Sequence, residues 1–217
     1  MKRLRLILAF IFIVFNVPIL GQISQYKLDS IVQKYTQNLH TKGIDTFCIY
    51  SEYCIGCLLH HPKGNNLCLE NYSSLPTYIF WKDNGKTFIT RKDICFDYST
   101  QIITNDSFWN YFISNKSKIK KEELKLPQYI ENINGKKEIQ SININHSIYF
   151  QITMKINSES VVKKINSFYL TEELGIKGEK NINYDYNTHS NLHNLHLLLQ
   201  GIIKQESIKK KFIKTLR

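Results

Sequence analysis

LPTYIFWKDNGKTFITRKD, residues 75–93, decides how the rest of the chain is read. Two runs rich in β-branched and aromatic residues flank Asp83-Asn84-Gly85, and Asn-Gly supplies the positive φ angles that a tight turn between twisted strands needs. The segment predicts an antiparallel hairpin, a unit that needs no crossover helix. A second signal of this kind begins at 148, where Ile148, Phe150, Ile152, Met154 and Ile156 alternate with Tyr149, Gln151, Thr153, Lys155 and Asn157. That period of two predicts a half-buried strand. ESVVKKINSFYL after it suits a hairpin partner, although Val161, Ile165 and Phe168 also fit a helix, so 160–170 stays open between the two.

Helical spacing frames these strands. Leu28, Ile31, Val32, Tyr35 and Leu39 predict an amphipathic helix over roughly 24–41, closed by Gly43. DTFCIYS after it suits a buried strand and NNLCLENY a short edge strand. Asn105 or Asp106 can cap a short middle helix through DSFWNYFIS, with Phe108, Trp109 and Phe112 on its buried side. The chain is polar and basic over 114–127, which predicts an exposed loop, and NINYDYNTHSN reads as another. Leu192, Leu195, Leu199, Ile202 and Ile203 form the stripe of a C-terminal helix that Ile208, Phe212 and Ile213 can extend. Helix, strands, helix, strands, helix without regular βα alternation predicts an α+β fold with two antiparallel hairpin regions, as one domain over 22–217.

The chain opens MKRLRLILAFIFIVFNVPILGQ, with Lys2, Arg3 and Arg5 ahead of an apolar run from Leu6 to Phe15, then Pro18 and Gly21. A short cationic segment, a short apolar run and a small residue make a secretory signal peptide over 1–21. The run falls short of the roughly 20 residues that a membrane span needs, and no later segment resembles one. The expectation is export, to the periplasm or beyond the cell. Loss of the three leader cations lowers the formal charge from +11 to +8. The excess sits in clusters at Lys116, Lys118, Lys120, Lys121 and Lys125, at Lys136 and Lys137, and at Lys209, Lys210, Lys211, Lys214 and Arg217. Export makes a nucleic-acid partner a poor fit. A solvated basic face touching an anionic envelope component or another protein is the expected use.

An oxidising compartment also governs the five cysteines, Cys48, Cys54, Cys57, Cys68 and Cys95, which are read first as disulfide candidates with one thiol left over. Two other chemistries compete. Cys48, Cys54, Cys57, His60, His61 and Cys68 offer soft ligands for a metal, though only one pair has regular spacing. The CxxC of Cys54 and Cys57, behind a strand and Tyr53, resembles the active site of thioredoxin-like proteins, and SLPTYIFWKDNGK resembles their cis-proline segment. That resemblance implies an attacking Cys54, a resolving Cys57 and Pro76 beside them. Eighteen residues lie between Cys57 and Pro76, however, where a helix, a strand and a second helix would need roughly 40. Pro62 would also break the helix meant to carry Cys57.

His189, His193 and His196 share one face of a helix, a weak metal-site candidate whose bland reading is a polar helix face. HExxH is absent, because Ser190 follows the first histidine. Neither a nucleophile elbow nor a phosphate-binding glycine loop occurs. Asp93, Asp97, Glu122, Glu123, Glu172 and Glu173 are too dispersed to nominate an acid–base pair. No catalytic residue and no cofactor is therefore assigned outside the redox alternative.

YIFWKDNGKTFITRKDICFDYS and NINYDYN, the latter just before the terminal helix, resemble segments of uncharacterised exported bacterial proteins. The resemblance covers most of the mature chain and implies no particular activity. Together these readings predict an exported, non-catalytic binding or envelope-associated module stabilised by disulfides, with thiol–disulfide exchange and metal capture as the alternatives.

Overall fold

The computed structural model describes residues 19–55, 75–144, 146–174, 178–209 and 212–216. The fold is α+β, as the sequence predicts. Its main sheet runs β12-β4-β3-β2-β1-β8-β9, with β5 also pairing with β3, and every pairing is antiparallel. The strands are β1 (Thr46–Ile55), β2 (Thr77–Asp83), β3 (Lys86–Lys92), β4 (Phe96–Tyr98), β5 (Gln101–Ile103), β8 (Ser147–Ile156), β9 (Glu159–Asn166) and β12 (Lys214–Leu216). Two small ladders stand apart: β6 (Gln128–Ile133) with β7 (Lys136–Ser141), and β10 (Glu173–Leu174) with β11 (Glu179–Lys180).

Turn chemistry sets the hairpins. β2 and β3 are joined by Asn84 and Gly85, with φ of 47° and 73°, the left-handed pair that the sequence predicts. Asn134-Gly135 repeats the device between β6 and β7, and Asn157 opens the turn between β8 and β9. Segment 160–170 is thereby settled: strand to Asn166, then a 3₁₀ turn over Ser167–Leu170.

Each face of the sheet has its own core. Helices α2 (Ser107–Lys121) and α4 (Asn191–Ile208) lie on one side. There Phe108, Trp109, Phe112, Leu195 and Leu199 pack against Cys48, Phe80, Ile89, Ile152, Met154 and Ile165. Helix α1 (Ile19–Thr41) serves the other side, where Val32, Tyr35 and Leu39 meet Phe47, Ile79 and Trp81. Adjacent residues of β1 and β2 thus enter opposite cores, as strand alternation requires.

Three expectations need correction. The basic stretch 114–127 is not all loop: α2 continues to Lys121 because Ile119 is buried, and lysines in the last turn complement the helix C-terminus. The terminal helix ends at Ile208; Ile213 is exposed, and the next three residues return to the sheet as β12. NINYDYNTHSN contains a short helix, α3 (Tyr184–Thr188). Asn105, not Asp106, accepts from the Ser107 amide at the start of α2. Asp106 instead accepts from Thr87 Oγ1 and pairs with Lys82. The leader and the NNLCLENY strand lie outside the described residues, apart from the helical start at Ile19.

Candidate functional site: a cleft beside β9

Cys54 lies within β1, opposite Ile148 on β8. A thioredoxin-like nucleophile instead sits at a helix N-terminus, which lowers its thiol pKa. The Leu75–Pro76 peptide is trans, so the cis-proline expectation is not met, and Pro76 simply precedes β2. Cys54 and Cys95 do not titrate, being disulfide-bonded. The free thiol among the described cysteines is Cys48, buried in the main core, where loss of hydration pushes its pKa far up. Cys57, Cys68, His60 and His61 lie outside the described residues.

The rings of His193 and His196 stack 5.9 Å apart, but the three histidines do not form a metal cluster. His189 Nδ1 contacts the Asp185 carbonyl oxygen at 2.8 Å, and His193 Nδ1 contacts that of Thr188 at 2.8 Å. His196 departs from the polar-face reading. It is 3% exposed, its ring 4.4 Å from that of Phe150, and its Nδ1 is 3.1 Å from Tyr50 Oη. Burial, then the neighbouring His193, pushes its pKa down to about 4. No group of three His, Cys, Asp or Glu side chains among the described residues is placed to hold a metal.

A polar row crosses the sheet beside His196. Tyr50, Tyr78 and Arg91 are opposite one another on β1, β2 and β3. Burial raises the pKa of Tyr50 and of Tyr78. Glu52, half-buried, is likewise raised by lost hydration. Arg91 lies 4.6 Å from the Tyr98 ring, and Tyr98 Oη donates to Asp93 at 2.6 Å. Asp93 also accepts from the Cys95 and Phe96 amides, so its carboxylate closes the turn into β4.

Glu122 has a comparable architectural role. It is the C-cap of α2, and its carboxylate accepts from the Asn191 and Leu192 amides at 3.1 and 2.7 Å, at the start of α4. A helix N-terminus favours such a negative group. The segment after Glu122 faces the second half of β9, from Val162 to Asn166, across a cleft of about 320 Å3. Its lining mixes apolar and hydrogen-bonding residues: Leu124 and Leu192, Tyr149 and Tyr169, and Lys163 and Lys164. Asn166 Nδ2 donates to Tyr149 Oη at 3.1 Å, fixing the phenol. Lys163 Nζ donates to the Glu122 carbonyl at 2.7 Å, joining the two walls. The sequence names four members of this site, none as a binding group: Glu122 and Glu123 as scattered carboxylates, Tyr149 in the alternation of a strand and Leu192 in the stripe of the terminal helix. The strand alternation that places Tyr149 outside was the one available signal.

Comparison with protein-family models, with curated proteins and with solved structures finds no match.

Proposed function

We propose that the protein is an exported binding module, periplasmic or secreted, that acts through the cleft beside β9 without covalent chemistry and is stabilised by disulfides. The observation that carries this reading is the cleft itself. It combines two tyrosine rings, two leucines and two lysines around a concave opening, the mixture by which a site takes up a ligand with apolar and anionic parts. The leader-like start, the basic charge and the segments that resemble exported bacterial proteins support the compartment and an anionic envelope component or protein as partner.

The test is fractionation of cells making the full chain, followed by mass spectrometry and assay of the recovered protein. Expected are an exported form lacking its first residues, disulfides intact, and no turnover of disulfide substrates. Recovery in the cytosol starting at Met1 with every thiol reduced overturns the reading. Turnover that is lost when Cys54 and Cys57 become serine would replace it with thiol–disulfide exchange, and stoichiometric bound zinc or copper would replace it with metal capture.

A further inference from the structure

Among the described residues, the last strand of the sheet has a neighbour on one side only. β9 pairs with β8, and among the described residues no other backbone hydrogen bond reaches it. The hairpin fixes which groups face outward. Ile156 is opposite Glu159 across a two-residue turn, a pair that must be hydrogen-bonded to close such a turn, and bonded and non-bonded pairs then alternate. The amides and carbonyls of Ser160, Val162 and Lys164 therefore point away from β8. All three residues are exposed, and Val162, an apolar side chain, is 53% exposed.

An open edge is normally blunted by lysine or proline. Here Lys163 and Lys164 supply the charge, but the cleft continues the edge and offers Leu124, Tyr169 and Leu192 within the same groove. A row of unpaired backbone groups with an adjoining side-chain pocket is the arrangement that recognises an extended peptide by strand addition. The nearby cations set the preference of charge. Lys116 and Lys120 flank the start of β9, where both pair with Glu159. Glu122 is held by the N-terminus of α4, so Lys163 and Lys164 outweigh the remaining carboxylate of the cleft, Glu123. A second copy of the chain fits less well. Two-fold pairing along β9 would bring the lysine-bearing flank of α2 against its own image.

We propose that β9 accepts an extended, carboxylate-bearing peptide segment of a partner protein as an added strand, with one apolar side chain of that segment in the cleft beside Leu124 and Tyr169. This rests on the binding-module reading and specifies its partner. The backbone of Ser160, Val162 and Lys164 supplies affinity, Lys164 the selection of charge, and the cleft the selection of side chain.

The test uses the folded protein and two synthetic octapeptides, one alternating valine with glutamate and one alternating valine with lysine. Backbone amide exchange is followed by NMR. The glutamate peptide is expected to slow exchange at Ser160, Val162 and Lys164, to shift the resonances of Leu124 and Tyr169, and to bind several-fold more weakly as salt rises from about 50 to 300 mM. Val162→Pro removes an outward N–H and no internal bond, so it is expected to leave the fold intact and to weaken binding about tenfold or more. Lys164→Glu is expected to remove the preference for the glutamate peptide. Unchanged exchange, equal binding of the lysine peptide, or wild-type binding by Val162→Pro would overturn the proposal. So would a dimer in sedimentation that Val162→Pro abolishes, since the edge would then serve a second copy. An exported, processed protein whose β9 ignores the peptide retires strand addition alone, whereas retention in the cytosol retires the export reading whatever the peptide does.

Discussion

Tyr50 Oη and His196 Nδ1 lie 3.1 Å apart in the layer between the sheet and α4, and this contact ties the central strand to the last helix. The imidazole is surrounded by Tyr50, Phe150 and His193, and Tyr50 is in turn close to Glu52 and Gln200. Burial keeps His196 neutral, with its pKa down to about 4. The unfolded chain takes up a proton near the ordinary value of about 6.5, so the stabilising difference is complete above that pH. It is lost as pH falls from there through about 4, by up to roughly 3 kcal/mol. His196→Gln should flatten this part of the stability profile, read as urea midpoints of both proteins between pH 7 and 4. Parallel profiles would refute the assignment.

Glu122 joins two helices, so its loss should be felt at α4. Glu122→Ala removes the acceptor of the Asn191 and Leu192 amides and is expected to cost about 1–2 kcal/mol. Glu122→Gln should cost less, because an amide oxygen still accepts while the charge at the helix terminus is gone. Denaturant titration of both variants separates the hydrogen bond from the charge.

At the tip of β2 and β3, Gly85 has a φ of 73° and nothing within 4 Å of the position where a Cβ would stand. Gly85→Val therefore introduces backbone strain without a clash, and about 1–2 kcal/mol of destabilisation is expected. A shift in thermal midpoint should appear with no change in the far-UV spectrum.

Cys48 is the core thiol, and only its unfolding should expose it. Iodoacetamide under native, non-reducing conditions is expected to leave Cys48 unmodified, and the same reagent in denaturant should label it. Cys54 and Cys95 should stay unlabelled in both, because each is in a disulfide. Peptide mapping that finds label at Cys95 in the native protein would contradict this.

The hairpin of 75–93 was legible because Asn84-Gly85 states its own turn chemistry, and the strand at 148–156 because its alternation is strict. The middle helix is longer than its sequence suggests: four lysines between 116 and 121 look like loop, yet lysine is a good helix former and only Ile119 marks the buried side there. The burial of His196 was legible: it stands four residues after Leu192 and three before Leu199, inside the leucine stripe, although its imidazole groups it with His189 and His193 on a polar face. The cleft was not legible at all. It is assembled from the end of α2, from β8 and β9 and from the start of α4, and its shape depends on how Glu122 docks against Asn191 and Leu192.

β1 occupies the middle of the sheet, with Cys48 opposite Phe80 on one side and Met154 on the other. Its second neighbour is thus supplied from far downstream, and no early fragment of the chain can complete its sheet. Closing so wide a loop slows nucleation. On the proposed route, a polypeptide that must thread a translocation channel as a loose strand gains from that delay: it is kept from premature collapse by its own topology until β8 has come through.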